Sequence, residues 1–64
     1  MDIAATLQSG LALHRAGRLA EAGEKYEEVL KVDGSNFECL HLAGLVAFQL
    51  GRPEEAVERL RRAL

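Results

Sequence analysis

A repeat with a period of 34 residues constrains this chain more than any other feature of its sequence. When the chain is aligned with itself at that offset, glycines align with glycines, small residues with small residues, and charged residues with residues of the same charge at several positions. The identical pairs are Gly10/Gly44, Leu11/Leu45, Gly17/Gly51, Arg18/Arg52, Glu21/Glu55, Ala22/Ala56, Glu24/Glu58 and Leu30/Leu64, and Lys25/Arg59 is a conservative ninth. Identities at one fixed offset indicate a duplicated supersecondary unit. A period of this length is typical of stacked helix–turn–helix units.

Local signals predict two helices in the first unit. One should run from about Ile3 to Ala16, with Asp2 as its N-cap and Gly17 just beyond its end. The second should run from about Leu19 to Val32, followed by Gly34. Its apolar and small residues follow the helical period on one face, at Leu19, Ala22, Gly23, Tyr26, Val29 and Leu30.

The second unit repeats these signals. Ser35 and Glu38 have the spacing of a capping box, which predicts the start of a third helix that runs to about Leu50. Gly51 should end it, and Pro53 suits the first position of a fourth helix.

Two packing expectations follow from the repeat. Gly10 and Gly44 lie within helices, where glycine costs about 1 kcal/mol relative to alanine, so another helix backbone should lie close to them. Ala22 and Ala56 should be the small residues of the partner helices. The charged side chains are expected on exposed faces as i,i+4 ion pairs, namely Glu21–Lys25, Glu27–Lys31, Glu55–Arg59 and Glu58–Arg62.

Composition excludes several classes of protein. The net charge of −2, the pI of about 5.6 and the lack of a basic run argue against a nucleic-acid partner. The chain has no apolar run long enough to span a membrane, and its single cysteine cannot form an internal disulfide. Because the N-terminus carries no basic segment typical of a signal peptide, we expect a cytoplasmic protein.

The repeat resembles the tetratricopeptide repeat family. The positions that match its pattern are Gly10, Leu13, Gly17, Leu19, Ala22 and Tyr26 in the first unit, and Leu40, Ala43, Gly44, Gly51, Ala56, Leu60 and Ala63 in the second. The resemblance implies an all-α fragment of an α-solenoid, with four antiparallel helices in a single domain over residues 1–64. Repeat 1 should cover about residues 3–36, and repeat 2 about residues 37–64, without a capping helix.

No arrangement of residues predicts catalysis or a cofactor. Cys39 and His41 are two residues apart on a helix and point in different directions, so they cannot share a metal ion. We expect Cys39 to be a buried, inert thiol facing the first repeat. His14 and His41 lie far apart in sequence, and no phosphate loop, zinc motif or nucleophile elbow is present.

The resemblance implies a binding groove on the first helix of each repeat. The matching positions are Leu7, Leu11, His14, Arg15, Glu38, His41, Leu45, Phe48 and Gln49. We expect the apolar members to lie outside the interface within each helix pair and to bind a hydrophobic or amphipathic peptide. The alternative is that they pack against a neighbouring repeat or a second chain. A clamp for a C-terminal carboxylate is not expected, because Leu and His stand where that subtype presents Lys and Asn.

Two functional hypotheses follow. The first is a non-catalytic module that binds a protein or peptide partner, and that forms a homo-oligomer through the open face of its last helix at Val57, Leu60 and Leu64. The second is an N-terminal repeat fragment of a larger enzyme. The run from Cys39 to Arg52 also resembles repeat arrays that precede bacterial glycosyltransferases, where the repeats would bind substrate protein or dimerise.

Overall fold

The computed structural model describes all 64 residues and contains four helices and no strands. The helices are α1 (Ile3–Arg15), α2 (Leu19–Val32), α3 (Phe37–Gln49) and α4 (Pro53–Ala63). Each helix packs mainly on its neighbours in sequence, so α2 and α3 join two helix–turn–helix units. The all-α prediction is confirmed, and none of the four helices is long and apolar enough to cross a membrane.

The repeated Gly-Arg pair ends the first helix of both units in the same way. Gly17 and Gly51 adopt φ angles of 80° and 77°, a conformation in which a Cβ would be strained. The N–H of Arg18 donates to the carbonyl of Leu13 at 2.9 Å, and Arg52 repeats this bond in the second unit. This is the Schellman pattern, which satisfies carbonyls that the end of a helix leaves free.

The start of α3 differs from its prediction. Asn36, rather than Ser35, is the N-cap, and its side-chain oxygen accepts a hydrogen bond from the N–H of Cys39 at 2.9 Å. The predicted Ser35–Glu38 capping box is therefore wrong by one residue. Asn36 is held in place because its backbone N–H donates to the carbonyl of Asp33 at 3.1 Å. The cap predicted at Asp2 is confirmed by its 3.1 Å bond from the N–H of Ala5.

The core lies between α2 and the two helices that flank it. Its buried residues are Leu7, Ala22, Tyr26, Val29, Leu30, Cys39, Leu40, Ala43 and Val46. Ala22 and Ala56 are both buried, as expected for small residues at helix contacts.

The close helix backbone expected at the mid-helix glycines is found at Gly44, where a Cβ would lie 3.3 Å from the backbone carbonyl oxygen of Ala56. At Gly10 the neighbouring atoms belong to side chains instead, which corrects the expectation there. A Cβ on Gly10 would lie 2.6 Å from the ring of Tyr26, and a Cβ on Gly44 would lie 2.8 Å from Cγ of Leu60. Each glycine leaves space for a large side chain of the next helix, so Gly10 and Gly44 have the same packing role in their two units.

The predicted i,i+4 ion pairs are not the ones that form. Instead Arg18 pairs with Glu21 at 3.5 Å and Lys25 with Glu28 at 3.7 Å, both within α2 and its N-cap. On α4, Arg59 donates to Glu27 of α2 and also pairs with Glu58. Of these pairs, only Arg59–Glu27 joins two helices, and sequence spacing within one helix cannot show such a pair.

Candidate functional site

The structure brings together two of the predicted groove residues from different repeats. Nε2 of His14 on α1 lies 2.8 Å from Oε1 of Gln49 on α3. Its other ring nitrogen, Nδ1, lies 3.2 Å from the hydroxyl of Tyr26 on α2. An amide oxygen only accepts, so Nε2–H of His14 donates to Gln49, and in a neutral ring Nδ1 then accepts from the Tyr26 hydroxyl. His14 therefore links three helices at one edge of the groove.

Burial favours this arrangement of protons. Tyr26 is fully buried, and burial is the main reason that the pKa of its hydroxyl is raised; the neighbouring Cys39 adds to the shift, and Arg15 opposes it. The hydroxyl thus remains a donor at neutral pH.

Apolar side chains are exposed along α3. Phe48 is 68% exposed and Leu45 is 40% exposed, and His41 is exposed on the same helix. Phe37, which sequence reasoning missed, is 62% exposed and stands one turn before His41. At 3.6 residues per turn, these four residues fall on one face of α3. The sequence did contain a signal for Phe37. It precedes His41 by four residues and Leu45 by eight, which is the spacing of residues on one helix face.

The other predicted groove residues of α1 differ in how exposed they are. Leu7 is buried in the core, which corrects the expectation that it lies outside the packing of the helices. Leu11 is half-buried, and Arg15 is exposed near the helix end. The accessible apolar surface therefore belongs mostly to α3, with Leu11 at its border.

Cys39 is buried, as predicted. Its Sγ–H donates to the backbone carbonyl of Tyr26 at 3.2 Å, so the thiol faces the first repeat. Burial, followed by the charge of Glu27, raises its pKa to about 11. The raised pKa disfavours the thiolate, which is the reactive form of the side chain.

A cleft of about 520 Å³ lies on the α2 side of the molecule, and sequence reasoning did not find it. Small apolar residues of α2 and α3 line it, together with glutamates of α2 and α4. Representative members are Gly23, Val46, Ala47, Glu24, Glu27 and Glu55. No single helix contains this combination, so the pattern along the chain does not predict it.

A family model described as tetratricopeptide repeat matches residues 2–64. No curated protein and no solved structure matches the chain. Proteins of this family are typically non-catalytic and mediate protein–protein interactions. The match spans both helix pairs, and the Schellman turns and buried alanines recur at the expected period. The chain therefore belongs to the tetratricopeptide repeat family.

Proposed function

We propose that the chain is a protein-interaction module that binds a hydrophobic or amphipathic peptide against α1 and α3. The observation that carries the proposal is the exposed apolar face of α3, on which Leu45 and Phe48 stand one turn apart. Exposed apolar side chains grouped on one face commonly mark interaction sites.

The neighbouring groups suit a helical or extended peptide with apolar anchors. Leu11 on α1 and Leu45 on α3 occupy the same repeat position, so the face continues from one helix to the next. The bond between His14 and Gln49 joins these helices beside Phe48 and limits their relative movement. Such a preformed surface lowers the entropic cost of binding.

Two partner classes are compatible with this face. A free peptide would place apolar residues at i, i+3 or i+4, and i+7 against α3. In the second hypothesis, the repeats belong to a larger enzyme and the same face binds its substrate protein. The sequence encoded after Leu64 in the intact gene distinguishes these hypotheses. The cytoplasmic location stays a prediction.

The test uses a panel of synthetic amphipathic peptides with Leu or Phe at helical spacing. We expect amide shifts of the isotope-labelled chain to be confined to α1 and α3 when a peptide binds. Phe48→Asp should weaken binding by about 10-fold or more, as for a central anchor residue. Val32→Asp is the matched control, because Val32 is exposed on α2 outside this face.

Circular dichroism would show that both variants remain helical. Unchanged peptide affinity in a folded Phe48→Asp variant would contradict the proposal, as would amide shifts centred on α2.

A further inference from the structure

Helix α4 occupies the same repeat position as α2, but only α2 is covered on both sides. Tyr26 and Leu30 of α2 are buried, and α2 packs against both α1 and α3. Their counterparts at an offset of 34 residues are Leu60, which is 39% exposed, and Leu64, which is fully exposed. Within these 64 residues, no helix packs on the face of α4 that corresponds to the α3-binding face of α2.

The apolar residues of this face form a seam along α4. Pro53, Val57, Leu60 and Leu64 are separated by four, three and four residues, the spacing with which two helices pack along a shared line. Val57 is about half exposed. We call these four residues the α4 seam.

The charged residues beside the seam change sign from one end of α4 to the other. Glu54 lies near the N-terminal end of α4 and Arg61 near the C-terminal end, and both border the same shallow concavity as Val57. A helix of the same sequence laid antiparallel would place acidic groups opposite basic ones. A parallel helix would place like charges together, which is unfavourable.

We propose that the α4 seam binds the α4 seam of a second copy of this chain in a closed two-fold dimer. Val57 would face Leu60 of the partner subunit, and Pro53 would face Leu64 of the partner subunit. Glu54 would pair with Arg61 of the partner subunit, and the two-fold axis forms this pair twice. The second copy is then one partner of the interaction module proposed above, and it binds a different face from the peptide groove.

The opposite end of the molecule argues against head-to-tail stacking. Helix α3 covers α2 with Cys39, Ala43 and Val46, and the corresponding residues of α1 are Ala5, Ser9 and Ala12. These residues offer little apolar area to an incoming α4. The exposed Val57, Leu60 and Leu64 at the α4 end are larger than these α1 residues, so a two-fold contact between two α4 faces removes more apolar surface from water than stacking of α4 on this face of α1 does.

The test is sedimentation equilibrium of the 64-residue chain. The wild-type protein should sediment as twice 7.0 kDa at high concentration. Glu54→Arg and Arg61→Glu should each raise the dimer Kd on the order of 10-fold, because each turns two ion pairs into two repulsions. An equimolar mixture of the two variants should recover wild-type association. Glu24→Arg on α2 is the control with the same charge change and should leave the Kd unchanged.

A separate variant tests the apolar part of the seam. Val57→Asp should abolish the dimer, with helicity checked at a concentration where the wild type is monomeric. Phe48→Asp should leave the dimer intact, so failure of the groove proposal and failure of this one are distinguishable. The proposal would be overturned if the wild type is a monomer at high concentration or forms an open series of larger species. It would also be overturned if the dimer Kd is unchanged both by the charge-exchange variants and by Val57→Asp.

Discussion

Tyr26 and Leu60 occupy the same place in the two repeats, yet their environments differ greatly. Each packs against a mid-helix glycine of the preceding helix, Gly10 or Gly44. Tyr26 is fully buried and its hydroxyl bonds to His14, whereas Leu60 is partly exposed. The difference arises because α2 packs between α1 and α3, whereas α4 packs mainly on α3 and has no second helix beside it within these 64 residues. In this array, the burial of the second helix of a repeat is completed by the first helix of the next.

Arginines of α4 make direct contacts with the first repeat. Arg59 reaches Glu27 on α2, and Arg62 donates to the backbone carbonyl of Gly34 at 2.9 Å. In the first repeat, the counterpart of Arg59 is Lys25, which pairs only within its own helix with Glu28. The second repeat is therefore attached to the first by polar contacts of long side chains as well as by the core.

The largest effect is expected when the side chains at these two equivalent positions are truncated to alanine. Tyr26→Ala removes a fully buried ring and should lower the free energy of unfolding by about 3–5 kcal/mol. Leu60→Ala should cost only about 1 kcal/mol at a concentration where the chain is monomeric, because much of its side chain already contacts water. Urea denaturation followed by circular dichroism measures both. Equal losses would show that α4 is as well covered as α2.

A smaller effect is expected when a methyl group is added to each glycine. Gly10→Ala places Cβ 2.6 Å and 2.9 Å from two carbons of the Tyr26 ring, which is fully buried and whose hydroxyl contacts His14. We expect a cost of about 1–3 kcal/mol, as for an overpacked core.

Gly44→Ala meets Leu60, with Cγ at 2.8 Å and Cδ2 at 3.0 Å, and the backbone carbonyl oxygen of Ala56 at 3.3 Å. Leu60 can turn towards solvent, and alanine favours a helix over glycine by about 1 kcal/mol, so the net change should be smaller than for Gly10→Ala. Thermal melts of both variants make the comparison. A double variant of Gly10→Ala with Tyr26→Leu should lose less than the sum of its two single changes, since leucine relieves the same clash. A Gly44→Ala variant less stable than Gly10→Ala would contradict this reasoning.

Local sequence signals predicted most of the fold. The helix ends depend on Asp2, Gly17, Gly51 and Pro53, whose effects act within a few residues, and the structure has all four where they were predicted. The start of α3 was misplaced because two neighbouring residues, Ser35 and Asn36, can both cap a helix. The choice between them depends on how the turn from α2 closes, which sequence spacing does not describe.

The candidate site was less predictable because its contacts cross between repeats. His14 and Gln49 were each assigned to the groove by resemblance, but their hydrogen bond joins residues 35 apart in sequence. Leu7 was assigned to the same surface and lies in the core instead, because α1 turns that position towards α2 and α3. Periodicity identifies the face of a helix, whereas the boundary between core and groove depends on the angles between helices.

The smallest expected effect tests whether arginine contacts hold α4 to the first repeat. Arg59 is 15% exposed and its partner Glu27 is 41% exposed, so their ion pair is partly screened by water. Arg59→Met keeps the apolar stem and loses the pair, which should cost about 0.5–1 kcal/mol. Lys25→Met should cost less, because Lys25 and Glu28 are both substantially exposed on one helix. The loss for Arg59→Met should shrink as salt is raised towards ~1 M, where the Debye length is about 3 Å. Urea denaturation at low and high salt measures both variants. A larger loss for Lys25→Met, or an Arg59→Met loss that is the same at both salt concentrations, would mean that the apolar contacts of α4 alone hold it in place.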